Sequence, residues 1–261
     1  MNRQADIKII DLTPDTIAEY GVCGYKDVKK HLELKRKIDW VKDYYPLGLR
    51  IKALIADDGS YQGMIEYIPG IYAHRPVEAA EYIFIHCIFV GFKKEFKGRG
   101  FASLLIDECI SDAKVQKTVG VATVTRAGSF MAKKDIFLKK GFKVVDTTAP
   151  DFELVALKFN LSAKDPTFKN PPLDPYKEGL TIIRSLQCPY SVKNVDAIIE
   201  TAKKLQIDVN LVEILDHTTA QNTPSAFGTF CIIYRGEIIS YHPISNTRFE
   251  NIMKSKYKNR Q

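Results

Sequence analysis

The chain has 261 residues, enough for one large domain or two of ordinary size, and 45% hydrophobic residues suffice for buried cores. The net charge of +7 suits an anionic ligand, but the lysines are scattered, which predicts a solvated surface and no nucleic-acid partner. The sequence lacks a leader pattern and an apolar run of about 18 residues, so we expect a cytoplasmic protein without a membrane partner. Five irregularly spaced cysteines fit a reducing compartment and predict no metal site.

The first part of the chain shows both strand and helix patterns. Alternating apolar residues predict strands, and apolar residues at helical spacing predict helices. Thr13 and Pro14 favour a helix start, and an Asp-Asp-Gly-Ser turn favours a hairpin. The predicted order is strand 6–12, helix 13–23, helix 28–45, strand 49–56, turn 57–60, strand 61–67 and loop 69–77.

A strand, a loop and a helix in succession form the stretch around which the first half is organised. Residues Tyr82–Val90 are rich in Ile, Phe and Val and end at Gly91, which predicts a buried strand. From Gly100 onward a set of apolar residues falls on one helical face, namely Ala102, Leu105, Ile106, Cys109 and Ala113. Gly98 and Gly100 let the loop curl with its N–H groups inward, and the helix start adds free donors and a positive dipole end. The stretch therefore predicts a phosphate or pyrophosphate site.

Further elements follow this stretch before the composition changes. The patterns predict a strand at 120–126, a helix at 130–140 and extended structure at 141–145 and 152–159. Between 162 and 179 four prolines occur among Lys, Asp and Asn, so we expect an extended linker without regular elements, and a domain boundary.

Two short motifs in the first half resemble signatures of the GNAT N-acetyltransferases. Segment 97–102, Lys-Gly-Arg-Gly-Phe-Ala, is similar to their acetyl-CoA loop, Gln/Arg-x-x-Gly-x-Gly/Ala, with Lys97 in the first place. Segment 136–142, Ile-Phe-Leu-Lys-Lys-Gly-Phe, resembles the second signature, although Phe137 replaces its tyrosine. Residues 1–161 therefore resemble a GNAT domain. This resemblance implies an α/β chain with the acyl-CoA N-acyltransferase fold and a mixed central sheet.

The same resemblance implies how acetyl-CoA, the acyl donor, is bound. It places the donor between two splayed parallel strands, 84–90 and 120–126. The backbone at the end of the first strand would bind the pantetheine amides, and the residues implied are Phe89, Val90, Gly91 and Phe92. Amides of the glycine loop would hold the pyrophosphate, and the residues implied are Lys97, Gly98, Arg99, Gly100, Phe101, Ala102 and Ser103.

Residues 180–261 predict a smaller domain that resembles the thioredoxin and glutaredoxin fold. Its predicted elements are strand 180–186, a helix opened by 188–191, strands 209–215, 230–234 and 238–241, and helix 247–257. Cys188 falls at the predicted N-terminus of the first helix, where the dipole and free N–H groups would stabilise a thiolate. Ser191 stands in place of a second cysteine, so disulfide cycling is excluded at this motif. Gly228 occupies the place of the cis-proline of thioredoxins, with Pro224 upstream, which disfavours redox catalysis.

A GNAT domain followed by such a tail resembles the YoaP-like bacterial acetyltransferases. The segments that carry this resemblance are 21–25, Gly-Val-Cys-Gly-Tyr; 65–69, Ile-Glu-Tyr-Ile-Pro; 85–87, Ile-His-Cys; and 228–230, Gly-Thr-Phe. The resemblance covers nearly the whole sequence and implies acetyl transfer to an amine, without identifying the acceptor. The tail would shape or cover the acceptor site.

Attack of an amine on a thioester requires a base. His86 has an ordinary pKa near working pH and lies on the strand beside the expected thioester, with Glu66 and Glu81 as competitors. A hydrogen-bonded core histidine explains His86 equally well. On a regular strand Cys87 points to the opposite face, so one of the two would face the pocket. Direct transfer is favoured over an acyl-enzyme on Cys87, and with Phe137 in the tyrosine position another group, or none, protonates the thiolate.

Three functions remain open at this point. The favoured one is an N-acetyltransferase acting on a small-molecule or peptide amine. The second is a non-catalytic acyl-CoA-binding module, supported by Phe137, and the third is a monothiol protein acting through Cys188. The sequence leaves the oligomeric state open, a homodimer included.

Overall fold

The computed structural model describes residues 7–91 and 93–258, and the chain divides into two compact units. The first unit comprises the described residues up to Ala73 together with Val77–Lys169, and the second comprises His74–Pro76 and the described residues from Asn170 onward. Each unit has its own sheet, of seven strands in the first and four in the second. The predicted mixed α/β class is confirmed.

The first unit is built on a mixed sheet whose strand order is β1-β2-β3-β5-β6-β8-β7. Every neighbouring pair in it is antiparallel except β5 and β6, which are parallel. A two-stranded sheet of β4 and β9 accompanies it. The strands are β1 Ile7–Leu12, β2 Arg50–Ala56, β3 Tyr61–Pro69, β4 Val77–Glu78, β5 Tyr82–Val90, β6 Gly120–Thr125, β7 Lys143–Thr148, β8 Phe152–Lys158 and β9 Thr167–Phe168.

The helices of the first unit are α1 Ile17–Tyr20, α2 Leu32–Tyr44, α3 Phe101–Val115 and α4 Asp135–Leu138. The apolar face predicted for α3 is buried against β5 and β6, as its periodicity indicates, with the buried members Leu105, Ile106, Cys109 and Ala113. The Tyr67 hydroxyl, on β3, donates a hydrogen bond to the Asp112 carboxylate on α3. These contacts set where α3 begins relative to the end of β5.

Two helices of this unit are much shorter than predicted. The predicted helix 13–23 is a single turn, because the hydroxyl of Thr16 accepts from the Thr13 N–H at 2.8 Å and Gly21 turns the chain at a φ of 82°. The predicted helix 130–140 is also a single turn, since Phe130 has a φ of 67°, which a right-handed helix excludes.

The proline-rich segment 162–179 contains regular structure, contrary to prediction. Phe168 is buried, and β9 pairs with β4. The Phe168 N–H donates to Asp146 Oδ2 at 2.7 Å, and a 3₁₀ turn follows at Asp174–Tyr176. A buried aromatic and a side-chain acceptor therefore order a stretch whose composition favours an extended chain. The division between the two units falls inside this segment, after Lys169.

The second unit is a four-stranded sheet with three helices. Its strand order is β11-β10-β12-β13, with β10 and β11 parallel and the other pairs antiparallel. The helix α6 was not predicted; Asp216 caps it by accepting from the Thr219 N–H at 2.7 Å. The elements are β10 Leu180–Ser185, α5 Val195–Lys204, β11 Val209–Ile214, α6 His217–Gln221, β12 Phe230–Tyr234, β13 Glu237–Ser240 and α7 Asn246–Lys258.

Within the described ranges, each helix is too short or too polar to traverse a lipid bilayer.

Candidate active site

The loop between β5 and α3 carries the glycines predicted to bind an anion. Gly98 and Gly100 have φ values of 73° and 82°, in the left-handed region that glycine adopts without strain. Gly100 directly precedes the first turn of α3, and within the described residues no side chain caps that turn. The first N–H groups of α3 and the positive end of its dipole are therefore directed at the loop.

This loop is open on the side where an anion would bind. A Cβ atom placed on Gly98 or on Gly100 would meet nothing within 4 Å. Lys97 and Arg99 are exposed beside them, and the Arg99 guanidinium lies 5.1 Å from the centre of the Phe101 ring. Two cationic side chains and the amides of a helix start form a donor set that fits a diphosphate.

The next residues of α3 anchor the loop to the core. Phe101 is buried and its ring lies 6.0 Å from that of Phe96, which is buried in the same cluster. Ala102 and Ser103 are half-buried in the first turn. The backbone of this turn therefore has a rigid support beneath it.

The parallel strands β5 and β6 separate beyond their first residues. They pair from Tyr82 with Gly120 to Ile85 with Thr123, and the Thr123 hydroxyl donates to the Ile85 carbonyl at 2.9 Å. Past that point β5 pairs with β3 and β6 pairs with β8. Among the described pairings, the end of β5 thus has an edge toward β6 that no ladder occupies.

The end of β5 is held in place by β3. The Gly91 N–H donates to the Gln62 carbonyl at 2.8 Å, while Phe89 and Val90 are half-buried on the strand. At Gly63 a Cβ atom would stand 2.5 Å from the Phe89 carbonyl oxygen, so only glycine lets the two strands approach. Phe92, the fourth residue predicted to face the pantetheine, lies outside the described residues.

A β-bulge at His86 changes the predicted orientation of its neighbours. Glu66 pairs with Cys87 and Tyr67 pairs with Ile85, so His86 is the extra residue of β5. Ile83, Ile85 and Ile88 pack in the α3 cluster, whereas His86 and Cys87 are outside it. The expectation that His86 and Cys87 point to opposite faces is wrong, because it assumed a regular strand. Both lie on the face turned away from α3.

On that face His86, Glu66 and Lys37 form a buried charged group. The Lys37 ammonium contacts Glu66 Oε2, and His86 Nδ1 lies 3.3 Å from Glu66 Oε1. All three side chains have no exposed area. Although burial acts to raise the pKa of Glu66, the Lys37 charge and the His86 hydrogen bond outweigh it and lower that pKa to about 2. Glu66 is therefore an ionised carboxylate at neutral pH.

Aromatic rings enclose this charged group. The Lys37 ammonium lies 4.2 Å from the centre of the Trp40 ring, which stacks on Tyr44 at 4.8 Å. The His86 ring lies 6.1 Å from Trp40 and 5.9 Å from Phe84. Because these side chains are buried, charges on them interact far more strongly than they would at the surface.

Sequence reasoning missed Lys37, although a signal for it exists. On α2, Leu34, Ile38 and Val41 define the buried face, and position 37 falls between them at helical spacing. A lysine on an apolar stripe indicates a buried partner. Its partner could not be read from the pattern, since Glu66 lies on a different element.

The structure does not bring Glu81 into this group. Glu81 is exposed in the turn before β5, at the end of that strand away from the glycine loop, where its carbonyl accepts from the Val119 N–H at 3.1 Å. Cys87 is partly exposed. Of the predicted catalytic residues, Glu66, His86 and Cys87 therefore lie on one face, and Glu81 lies apart.

Phe137, in the position of the signature tyrosine, belongs to the core. It is 1% exposed and packs edge-on against Phe142, with ring centres 5.4 Å apart. This position therefore provides an apolar contact and no proton donor.

Cys188 stands at the N-terminus of a short 3₁₀ helix and not at the start of α5. The residues after it form a 3₁₀ turn, Pro189–Ser191, and α5 begins at Val195 after Asn194, whose φ is 68°. The Ser191 hydroxyl donates to the Cys188 carbonyl at 2.7 Å, which closes the turn. The stabilisation that an α-helix dipole would give a thiolate is thus removed from Cys188.

Gly228 has a steric role in the second unit. Its φ is 75°, and a Cβ atom there would stand 2.5 Å from the His74 carbonyl oxygen and 2.6 Å from Arg75 Cδ. Segment 74–76 therefore packs directly on this backbone. A proline or any other side chain would displace it.

Comparison with known proteins gives matches over both halves of the chain. Residues 209–251 match the family described as YoaP-like, which confirms the predicted resemblance for that segment. Over 249 residues the chain is 28% identical to YoaP of Bacillus subtilis strain 168, an uncharacterized N-acetyltransferase, covering 94% of this chain and 97% of that protein.

Solved structures show weaker likeness. The PaiA N-acetyltransferase of Thermoplasma acidophilum, in complex with coenzyme A, is 17% identical with a TM-score of 0.41, over 59% of this chain and 99% of that one. The GNAT-family N-acetyltransferase YhbS of Escherichia coli, in complex with CoA, is 13% identical with a TM-score of 0.39, over 64% and 92% respectively.

Proposed function

We propose that this chain is an N-acetyltransferase that uses acetyl-CoA as the acyl donor, with a GNAT-type domain at residues 1–161. The observation that carries the proposal is the end of β5. There the strand parts from β6 and leads through Gly98 and Gly100 into the uncapped N-terminus of α3. Similarity to an N-acetyltransferase over nearly the whole chain supports it.

The donor would bind along this path. Acetyl-CoA supplies an activated acetyl thioester. The backbone of Phe89, Val90 and Gly91 would pair with the pantetheine amides, and the backbone of 97–103 would bind the pyrophosphate, as an open loop at a helix start allows. The side chains of Lys97 and Arg99 would add positive charge beside the pyrophosphate.

The reaction we propose is direct transfer to a primary amine. A C–N bond forms at the acetyl carbonyl, the C–S bond breaks, and the electron pair leaves on the coenzyme A sulfur. His86 accepts the proton that the amine loses, and the ionised Glu66 stabilises the resulting imidazolium. Because both side chains are enclosed, the proton reaches His86 through a water. The thiolate is a good leaving group and takes its proton from solvent.

We propose that residues 180–261 form a thioredoxin-like domain after a linker at 162–179. Its order β11-β10-β12-β13, with one parallel pair, and its α5 and α7 helices support this. The geometry of Cys188 gives no support to a thiol reaction there. All five cysteines are free, in keeping with the cytoplasmic location that we propose.

A second candidate is a module that binds acyl-CoA without catalysis. The buried Phe137 favours it, because the signature position offers no proton donor. Both candidates require the glycine loop to bind coenzyme A, and only the first yields a product.

The test combines binding with product analysis. Calorimetry with coenzyme A should show binding, and mass spectrometry should detect an acetylated product among polyamines, amino sugars and peptide N-termini incubated with acetyl-CoA. Binding without any product would favour the module. Absence of binding would overturn both candidates.

A further inference from the structure

Lys37 is a buried cation that the proposed chemistry does not by itself require. Its ammonium contacts Glu66 Oε2, and Glu66 Oε1 lies 3.3 Å from His86 Nδ1. One carboxylate thus contacts a cation and an imidazole at once. Because no part of these side chains is exposed, solvent screens neither interaction.

Packing alone does not explain a lysine at this position. Its neighbours on the buried face of α2, Leu34, Ile38 and Val41, are apolar, so a methionine would fill the space. Burying an ammonium is costly unless an ionised partner compensates, and replacing a buried ion pair with apolar residues is often neutral or stabilising. The charge itself is therefore the property to explain.

We propose that Lys37 is a positioning residue that, through Glu66, keeps His86 able to accept a proton near neutral pH. This rests on the proposed function, in which His86 is the base. An ionised Glu66 without a counter-charge would hold His86 as an imidazolium, which cannot accept a proton. Lys37 neutralises the carboxylate, so His86 stays neutral until the reaction supplies its proton.

The charged side chains that act on His86 come from two elements. Glu66 contacts it from β3, and Lys37 contacts Glu66 from α2. Titratable groups in the same region include the Cys23 and Cys87 thiols and, at the start of β3, the Tyr61 phenol, whose pKa burial raises well above its ordinary value. Tyr61 therefore stays neutral.

The experiment is an NMR titration of the His86 ring in the full chain without ligand, with His86→Asn to identify its signal. Lys37→Met should raise the titration midpoint by about one pH unit, and Glu66→Gln should lower it by a similar amount. The double variant should fall between the single variants. Lys37→Arg, which keeps the charge, should stay near wild type, as should Lys35→Met, whose ion pair with Asp39 on the same helix is exposed.

Midpoints that do not move, or that move in the same direction in both single variants, would overturn the proposal. If Lys37→Met does not fold, a measurement on the wild-type protein tests the proposal instead. The carbon-13 signal of the Glu66 carboxyl should stay that of a carboxylate while His86 titrates, and protonation of Glu66 in that range would refute the idea.

Kinetics separates this inference from the function on which it rests. In an active enzyme the acid limb of kcat/KM should follow the His86 midpoint, so Lys37→Met should lose roughly tenfold at neutral pH and recover at higher pH. A structural role would lower activity without that recovery. The shifted NMR midpoints together with no product from any amine would refute the acetyltransferase and leave the charge coupling intact.

Discussion

Each unit contains a strand, a loop and a helix in succession. The sequence predicts a helix N-terminus next to the glycine loop in the first unit and next to the Cys188 thiol in the second. In the first unit Gly100 directly precedes Phe101, the first residue of α3. In the second a 3₁₀ turn follows Cys188, and α5 begins only at Val195. The glycine loop of the first unit therefore lies directly before the amides of an α-helix, whereas in the second unit a 3₁₀ helix separates Cys188 from α5.

The difference comes from the side chains of the turn. The glycines of the first loop have no polar side chain that could bond to the backbone, so the first amides of α3 remain available. In the second, the Ser191 hydroxyl contacts the carbonyls of Ser185 and Cys188 and stabilises a competing turn. After a strand and a loop, the amides of a helix start are available to an anion only where the loop residues leave them unbonded.

The ion pairs of the two units extend the comparison and give the largest expected effect. Lys37 and Glu66 are both fully buried, whereas Glu213, the partner of Arg184 in the second unit, is 38% exposed. Lys37→Met should lower the free energy of unfolding of the first unit by about 3–5 kcal/mol, because it removes one partner of a fully buried ion pair. Arg184→Met should cost about 1 kcal/mol in the second.

Native-state hydrogen exchange measures each unit separately, since amides report the opening of their own element. The double variant Lys37→Met, Glu66→Gln should recover most of the unfolding free energy that Lys37→Met loses. Equal losses of unfolding free energy in Lys37→Met and Arg184→Met would show that burial does not distinguish the two ion pairs.

The glycine loop provides the second test. Gly100→Glu should weaken coenzyme A binding about 100-fold, because a carboxylate beside the pyrophosphate repels it. Gly59→Glu is a matched control, since Gly59 has a φ of 74° against 82° at Gly100, and a Cβ at either glycine meets nothing within 4 Å. Calorimetry of both variants checks the prediction. Unchanged affinity in Gly100→Glu would remove the pyrophosphate from this loop.

Acid stability should reveal the charge on Glu66. The pKa of this carboxyl is lowered to about 2 by Lys37 and His86, in spite of burial, which raises it. A lowered folded pKa stabilises the protein above the unfolded pKa of about 4.3, and that stabilisation is lost as the pH falls toward 2. Glu66→Gln should therefore show a flatter decline of unfolding free energy across this range in urea titrations. An identical slope would mean that Glu66 is not ionised.

Substitution of Cys188 should have the smallest effect of these changes. Cys188→Ser should leave acetyl transfer within about twofold of wild type, because no α-helix begins at the thiol and the proposed reaction does not use it. Rates measured on the acceptor found by mass spectrometry check this. A loss comparable to that of His86→Asn would restore the thiol hypothesis.

Several features of the candidate site could be predicted from sequence. The strand at β5, the turn at Gly98 and Gly100 and the buried face of α3 depend on local patterns, because apolar spacing and glycine conformations act within a few residues. The same reasoning predicted an α-helix opening at Cys188, where the structure has a 3₁₀ helix, since Ser191 forms hydrogen bonds that helical spacing does not reveal. It also overestimated α1 and α4, which single residues with left-handed backbone or hydroxyl hydrogen bonds limit to one turn.

The sequence by itself determined the mixed α/β class, most of the strands and the glycine loop, because these follow from residues close together in the chain. Only the tertiary structure decided which polar groups meet. Lys37, Glu66 and His86 come from α2, β3 and β5, and their contact depends on strand register and on a one-residue bulge at His86. Register changes which face every later residue occupies, so no local pattern predicts that Glu66 contacts both a lysine and a histidine.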